Sequence, residues 1–223
     1  MFKLITFDVY SASLDINGSA VPIVREVLGW SEEKCLDFFK TWRTQQWNFL
    51  LLNNSMGKGF LSYRYITSQT LEYALKKYGI DLTEEQKKRL MDIWVSFKAW
   101  PEAKEVIEEI KSRGYKVAML SNGDQDMLEP LQNSSGIKFD YVFSAEAAGA
   151  YKPSPAVYDI PFQKTGIKKE EMLHVAGSVF DVMGAKAAGC FCAWSNRYSD
   201  YVLAPEYEPD YNMNNLSELL SIL

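Results

Sequence analysis

Histidine and cysteine are scarce in this sequence of 223 residues, which has one histidine, His174, and three cysteines. With a single histidine and no cluster of histidine and cysteine, we expect neither a zinc site nor a Ser-His-Asp triad. The cysteines form no Cys-x-x-Cys pair and leave an odd number, so we expect free thiols in a reducing cytoplasm. These thiols are Cys35, Cys190 and Cys192.

Excess positive charge and long apolar runs are also missing. Lysine and arginine total 24 against 29 acidic residues, a net charge of −5, so we expect no nucleic-acid or membrane partner. No apolar stretch is as long as a membrane span, and Asp8 interrupts the first apolar run, so we expect no signal peptide. With 47% hydrophobic residues, the chain can bury a full core in one domain, or in one domain carrying an insertion.

The order of patterns along the chain predicts two parts. Residues 3–10 (KLITFDVY) have the pattern of a short buried strand, and from about 19 to 98 the pattern is helical. After Trp100, helical segments alternate with strands, which favours a parallel sheet with helices on both faces. We predict an α/β fold with a Rossmann-like doubly wound parallel sheet core and an inserted helical cap. The predicted core is residues 1–14 and 100–223, and the predicted cap is residues 15–99.

Four predicted strands end in polar residues, and open α/β sheets place their ligand crevice at that edge. Polar residues also end strands simply because they form turns, which would explain most of these positions. Asp8 is different, because a carboxylate at the end of a buried strand is costly to desolvate without a partner. The polar strand ends are Asp8, Ser121-Asn122, Ala176-Gly177-Ser178 and Ser195-Asn196.

Lys152 and Asp181 are the candidate partners of Asp8. Lysine before proline in a loop is usually solvated, and an acid opening a helix is commonly an N-cap or first-turn residue, so each alone has a structural explanation. Together with Asp8 they can divide the work of a hydrolase. One carboxylate attacks the substrate, the cation holds it in place, and the other carboxylate activates water. His174 is expected to pack at a strand edge.

Six motifs follow one another along the chain: Asp8-x-Tyr10, WRTQQ (42–46), LSNG (120–123), AYKPSPAVY (150–158), FDVMGAKAAG (180–189) and WSNR (194–197). They resemble the motifs of the (S)-2-haloacid dehalogenases, members of the haloacid dehalogenase superfamily, which also contains many phosphatases. They follow the order of that family over nearly the whole chain. Two features are more particular to the dehalogenases than to the superfamily: Trp42-Arg43 with Gln46, and Tyr158 six places after Lys152.

Tyr10 stands where the phosphatase relatives carry a second aspartate, the acid that protonates the leaving alcohol. A tyrosine with an ordinary pKa near 10 cannot replace that acid at neutral pH, whereas a departing halide needs no proton. The phosphatases also hold Mg²⁺ with acids of the last motif, and here only Asp181 remains. Two acids beside a lysine make a poor octahedral site, so the resemblance implies a site without metal or other cofactor.

The resemblance implies a double displacement on a small 2-haloacid. Asp8 would attack C2 and form an ester, and Asp181 would orient or deprotonate the water that hydrolyses it. Lys152 would neutralise both carboxylates, and Arg43 from the cap would cradle the departing halide. The implied catalytic residues are Asp8, Lys152, Asp181 and Arg43; the implied substrate- or halide-binding residues are Tyr10, Ser121, Asn122, Tyr158, Ser178 and Phe180.

The sequence departs from the family at three polar positions. The family follows its tyrosine with Gly-Thr, where this chain has Ser11-Ala12, so the threonine hydroxyl that binds the nucleophile is missing. The family also has Ser-Ser-Asn where Ala176, Gly177 and Ser178 stand. Each lost hydrogen bond to a charged group is worth about 1.5–3 kcal/mol.

Three functions therefore remain open at the level of sequence: a dehalogenase, a phosphatase or other hydrolase of the superfamily, and a weakened protein that binds small carboxylates. The aromatic and leucine-rich cap helices fit a homodimer interface, as in similar proteins, or ordinary cap core, and the sequence leaves both open.

Overall fold

The computed structural model describes residues 1–223, and its centre is a sheet of six parallel strands. A separate pair of short strands lies outside that sheet. In chain order the strands are β1 (Leu4–Phe7), β2 (Leu14–Asp15), β3 (Lys98–Ala99), β4 (Lys116–Ser121), β5 (Tyr141–Ser144), β6 (Met172–Ala176), β7 (Phe191–Ser195) and β8 (Tyr211–Met213).

Strand β1 lies in the middle of the sheet, whose order is β5-β4-β1-β6-β7-β8. Phe7, the last residue of β1, is opposite Met119 of β4 and Val175 of β6. Because the strands are parallel, their carboxyl ends meet at one edge, where a crevice forms beside the first strand. The chain segment after Phe7 therefore enters the centre of that edge.

Helices cover both faces of the sheet, as the alternating pattern predicts. Side chains of β1 point alternately into two hydrophobic clusters, with Leu4 in the larger and Ile5 and Phe7 in the smaller. The smaller cluster packs under α5 and α9, and the larger packs under the other three core helices. The core helices are α5 (Ala103–Ser112), α6 (Gln125–Ser135), α7 (Pro155–Thr165), α8 (Val179–Ala187) and α9 (Leu219–Ile222). The predicted Rossmann-like α/β fold is confirmed.

Four helices form the segment between β2 and β3. Side chains cap their first turns: Ser31 accepts from the Lys34 amide, and Thr83 with Gln86 forms a capping box. None of the helices in the structure has the length and hydropathy that a membrane span requires. The helices are α1 (Ile16–Leu28), α2 (Glu32–Met56), α3 (Tyr63–Tyr78) and α4 (Glu84–Met91).

The pair β2 and β3 joins this helical segment to the sheet. The two strands are antiparallel, with Leu14 opposite Ala99, and the Trp100 amide donates to the Ser13 carbonyl just beyond them. The chain thus leaves and re-enters the sheet region at one double connection. We propose on this basis that residues 15–99 are the cap and that residues 1–14 and 100–223 are the core.

Two local predictions need correction. The strand expected over residues 3–10 ends at Phe7, because Val9–Ser13 winds into a π-helical turn in which the Asp8 side chain accepts from the Ser11 amide. Strand β8 is not predicted at all, since three residues at the sheet edge carry too little alternation to detect.

Candidate active site

Asp8 lies at the carboxyl end of β1 and is nearly buried, with 8% of its surface exposed. Its amide donates to the Val175 carbonyl of β6 at 2.9 Å, which continues the ladder between the two strands by one residue. The backbone that carries the carboxylate is therefore fixed by the sheet, and the π-helical turn that follows directs the next residues across the crevice.

Lys152 joins Asp8 to Asp181 in the interior. Its Nζ lies 3.3 Å from Oδ1 of Asp8 and 3.1 Å from each carboxylate oxygen of Asp181. The Lys152 side chain is 1% exposed, and its backbone amide donates to Oδ1 of Asn122 at 2.9 Å. An ammonium group this buried requires negative partners, and the two carboxylates supply them.

Asp181, in the first turn of α8, receives two further donors besides Lys152. The Tyr158 hydroxyl donates to Oδ1 at 2.7 Å, and Nε2 of His174 lies 2.9 Å from Oδ2. Burial acts to raise the pKa of Asp181, but the Lys152 ammonium and the His174 ring hold that pKa well below its ordinary value. Asp181 is therefore a stable carboxylate and a weak base. It suits the orientation of a water molecule better than the removal of a proton.

His174 is not at a strand edge, and that prediction is wrong. It lies in β6, between β1 and β7, and is fully buried. Its Nδ1 is 2.9 Å from Oγ1 of Thr6 on the neighbouring strand, and its Nε2 faces Asp181. A polar residue in a strand that is predicted to be buried indicates a candidate site residue, and this argument applies to His174 as it does to Asp8.

Ser11 supplies a hydroxyl where the family pattern had predicted a loss. Its Oγ donates to Oδ2 of Asp8 at 2.5 Å, and its amide donates to the same oxygen at 2.8 Å. Ala12, the residue in the place of the family threonine, is fully buried. The hydroxyl support of Asp8 is thus displaced by one position along the chain.

Tyr10 lies in an aromatic cluster between the sheet and the cap helices. Its ring stacks on Tyr63 with centroids 5.5 Å apart, and its hydroxyl donates to the Trp94 carbonyl at 3.4 Å. Burial, followed by the neighbouring Tyr63, raises the pKa of Tyr10 well above its ordinary value. Tyr10 is therefore a packing group that keeps its proton, and it cannot serve as an acid in the manner of the phosphatase aspartate.

Arg43 projects from α2 into the space between cap and core. Its Nη1 donates to Oε1 of Gln46 at 2.5 Å, and its guanidinium carbon is 5.6 Å from the Trp94 ring and 5.9 Å from the Trp47 ring. These contacts hold the partly buried guanidinium beside two aromatic rings.

A cleft of about 430 Å³ separates the cap from the carboxyl edge of the sheet. Trp47 of the cap stacks on Phe180 of the core across it, with ring centroids 5.5 Å apart. Ser178 also lines the cleft, while its hydroxyl accepts from the Asp181 amide as the N-cap of α8. Polar and aromatic residues share the lining, among them Ser11, Arg43, Trp47, Ser178 and Phe180.

Of the predicted catalytic residues, Arg43 lines the cleft, while Asp8, Lys152 and Asp181 form the buried cluster beside it. Four of the six predicted binding residues, Tyr10 among them, are buried rather than placed in the cleft lining. Ser121 and Tyr158 are fully buried, and Asn122 is nearly so. Asn122 binds the Lys152 backbone through its carbonyl oxygen, which leaves its amide nitrogen for another acceptor.

A magnesium ion does not fit between Asp8 and Asp181. The Lys152 ammonium occupies the space between the two carboxylates, within 3.3 Å of both, and a divalent cation there would face a buried positive charge. The structure contains no group of three or more His, Cys, Asp or Glu side chains arranged to hold a metal ion.

Comparisons with known proteins agree with this geometry. The family profile of the haloacid dehalogenase-like hydrolases matches residues 2–189. The (S)-2-haloacid dehalogenase 4A of Burkholderia cepacia is 30% identical, covering 97% of this chain and 93% of its own length. The haloacetate dehalogenase H-2 of Moraxella sp. (strain B) is 27% identical, covering 99% of this chain and 97% of its own.

Solved structures show the same likeness. A crystal structure of a dehalogenase superposes with a TM-score of 0.91 at 27% identity, covering 100% of this chain and 97% of its own. The L-2-haloacid dehalogenase of Xanthobacter autotrophicus, with chloropropionic acid covalently bound, superposes with a TM-score of 0.85 at 25% identity. That alignment covers 100% of this chain and 98% of the other.

Proposed function

This chain belongs to the haloacid dehalogenase-like hydrolase family, and from that premise we propose that it hydrolyses the carbon–halogen bond of short (S)-2-haloalkanoic acids. The observation that carries the proposal is the buried Lys152 ammonium shared by Asp8 and Asp181, with Tyr10 in place of an acid. This arrangement has a nucleophile and a group to orient water, and it lacks the proton donor that a phosphate ester would need.

In the first step, a carboxylate oxygen of Asp8 attacks C2 of the substrate in line with the carbon–halogen bond. A carbon–oxygen bond forms, C2 inverts, and the halide leaves with the bonding electron pair. Ser11 and Lys152 hold the attacking carboxylate from opposite oxygens, so little orientation must be acquired during the reaction. The covalently bound chloropropionic acid in the Xanthobacter autotrophicus structure supports an ester intermediate.

The departing halide gains negative charge as the bond breaks, and preorganised donors at that position stabilise the transition state more than the substrate. Arg43, fixed by Gln46 and the Trp94 ring, retains N–H groups for this purpose. The free amide nitrogen of Asn122 and the edge of the Phe180 ring are the other proposed halide contacts. We place the substrate carboxylate against Ser121 and the amides that follow Asp8.

In the second step, water adds to the carboxyl carbon of the Asp8 ester. The bond from that carbon to the hydroxyacid oxygen breaks, one water proton ends on the new hydroxyl group, and the other is released to solvent. Asp181 orients the water, and Asp8 returns as a carboxylate beside Lys152. Neither step requires a metal ion, and we propose that the reaction is metal-independent.

The test is halide release from (S)- and (R)-2-chloropropionate in the presence of EDTA, with Asp8→Asn as control. We expect release from the S form only, none from the variant, and no effect of EDTA. Halide release that is lost in EDTA, or that survives in Asp8→Asn, would contradict the proposed mechanism. Mg²⁺-dependent cleavage of an aryl phosphate in place of halide release would indicate a phosphatase. Stoichiometric binding of small carboxylates without halide release would indicate a binding protein.

A single turnover in H₂¹⁸O with enzyme in excess tests the ester directly. If Asp8 attacks, the label enters the Asp8 carboxylate, because water adds to its carboxyl carbon, and the first product molecules carry ¹⁶O from the enzyme. Label found in the product during the first turnover would instead show direct attack of water on C2, and it would contradict the proposed nucleophile.

A further inference from the structure

The single histidine of the chain lies directly behind the carboxylate that orients water. His174 bridges Oγ1 of Thr6 and Oδ2 of Asp181, at 2.9 Å on each side, and no part of its ring is exposed. Tyr158 packs against the ring edge-on, with centroids 5.5 Å apart. The ring therefore has one available orientation, with one nitrogen aimed at Asp181.

The chemistry of the partners fixes where the proton sits. An ionised carboxylate only accepts hydrogen bonds, so Nε2 of His174 must carry a hydrogen to approach Asp181 at 2.9 Å. The Thr6 hydroxyl can donate to or accept from Nδ1, and so it satisfies the ring in either charge state. Nε2 therefore acts as a hydrogen-bond donor to Asp181. Because Nε2 carries a hydrogen, it has no lone pair with which to remove a proton at the site.

Besides His174, two side chains donate to the Asp181 carboxylate: the Tyr158 hydroxyl, which binds Oδ1 at 2.7 Å, and the Lys152 ammonium. Ala176 has no polar side-chain atom, and the Ser178 hydroxyl is engaged by a backbone amide. Lys152 is shared with Asp8, and its position depends on a charge that Asp8 loses when it becomes an ester. During the second step, fixed orientation of the Asp181 carboxylate must therefore come from neutral or independent donors.

We propose that His174 is a positioning residue for ester hydrolysis: its Nε2–H, held in place by Thr6, fixes the Asp181 carboxylate in the orientation that directs water at the Asp8 ester. This inference rests on the proposed function and assigns a residue to its second step. It predicts that the first step, which needs Asp8, its supports Ser11 and Lys152, and the halide contacts, is insensitive to His174.

Two variants of His174 separate the donor from the volume of the ring. In His174→Gln the side-chain amide nitrogen reaches the place of Nε2, whereas in His174→Asn it reaches only the place of Nδ1. Rapid-quench kinetics should show in His174→Asn a burst of one halide per chain followed by ester hydrolysis slowed about 100-fold. Intact mass spectrometry should show the acyl adduct accumulating, and His174→Gln should restore most of the hydrolysis rate.

Thr6 provides a variant that leaves His174 in place. Thr6→Val keeps the shape and removes the hydroxyl that anchors Nδ1, and should slow ester hydrolysis less than His174→Asn while leaving the halide burst intact. Thr6→Ser should recover the rate. These variants also keep the inference testable if His174→Asn fails to fold.

A spectroscopic signature follows from the uniqueness of this histidine. In untagged ¹⁵N-labelled protein the only histidine ring signals come from His174, and we expect a hydrogen on Nε2 at neutral pH. A ring that carries its hydrogen on Nδ1 alone would overturn the inference. So would equal slowing of both reaction steps in His174→Asn, or equal rates of ester hydrolysis in His174→Asn and His174→Gln. A wild-type protein that releases no halide would overturn the proposed function itself, whereas normal turnover with unchanged ester hydrolysis in His174→Asn overturns only the role of His174.

Discussion

The two carboxylates that share Lys152 have different surroundings. The Asp8 side chain is 12% exposed and is held by the backbone and hydroxyl of Ser11, a residue that lines the cleft. The Asp181 side chain is 2% exposed and is held by Tyr158 and His174. One carboxylate is supported from its own chain segment and open to a ligand, while the other is enclosed by side chains from distant segments.

This difference matches a division of chemical work. A nucleophile must keep an oxygen accessible and must tolerate conversion to a neutral ester. Both Ser11 donors bind Oδ2 of Asp8, which leaves Oδ1 with Lys152 as its partner. A group that orients water must keep its charge and direction throughout, so several fixed donors are an advantage. The structure thus favours Asp8 as the group that changes covalently and Asp181 as the group that does not.

Removing the Lys152 ammonium should affect both Asp8 and Asp181, because they share it. In Lys152→Met two carboxylates face each other without a cation, and loss of one partner of a buried pair costs about 3–5 kcal/mol of unfolding free energy. We expect urea denaturation to show this loss and halide release to be absent. Lys164→Met, at an exposed lysine of α7, is the control and should leave both unchanged. Wild-type stability in Lys152→Met would contradict the buried pairing.

Asp181→Asn should separate the two steps. It keeps the shape of the side chain and removes its charge, so the Asp8 ester should form and then hydrolyse about 100- to 10,000-fold more slowly. One halide per chain should be released in a burst, and mass spectrometry should detect the adduct. Asp8→Asn is the opposite case, with no burst and no adduct. Steady turnover in Asp181→Asn at the wild-type rate would show that another group directs the water.

Ser11→Ala tests the support on the Asp8 side alone. Loss of a hydrogen bond to a charged group is worth about 1.5–3 kcal/mol, which corresponds to roughly 10- to 150-fold in the rate of ester formation. The halide burst should slow, whereas hydrolysis of the ester already formed should not. Ser11→Thr retains the hydroxyl and should recover the burst rate. An unchanged burst in Ser11→Ala would remove Ser11 from the proposed mechanism.

The fold could be predicted because its signals are local. Alternating helices and strands after Trp100 predict a parallel sheet, and parallel strands bring their carboxyl ends to one edge. Asp8 and Asn122 could be placed in the same crevice by that argument alone. The boundary at Phe7 could not, because it depends on the Asp8 carboxylate capping the turn that follows.

The hydrogen-bond donors around each carboxylate are harder to predict, because they depend on the folded arrangement of the chain rather than on a local sequence pattern. His174 lies seven residues before Asp181, on a strand rather than on the helix that carries Asp181, and no spacing rule links them. A comparison with the family position by position cannot detect that the Ser11 hydroxyl takes the place of one expected a residue later. The π-helical turn over Val9–Ser13 makes that displacement possible.

The pH dependence of stability gives the smallest expected effect. The Lys152 ammonium and the His174 ring outweigh burial and hold the pKa of Asp181 well below its ordinary value. A carboxyl group whose pKa is lower in the folded state stabilises the fold in full when the pH is above the pKa of that group in the unfolded chain, about 3.9. This contribution to the free energy of unfolding is lost as the pH falls below that value. Urea denaturation at pH 7, 5 and 3.5 should therefore show the stability of the wild type falling relative to Asp181→Asn below about pH 4. Parallel curves for the two proteins would mean that Asp181 titrates as in the unfolded chain, which its enclosure by three donors contradicts.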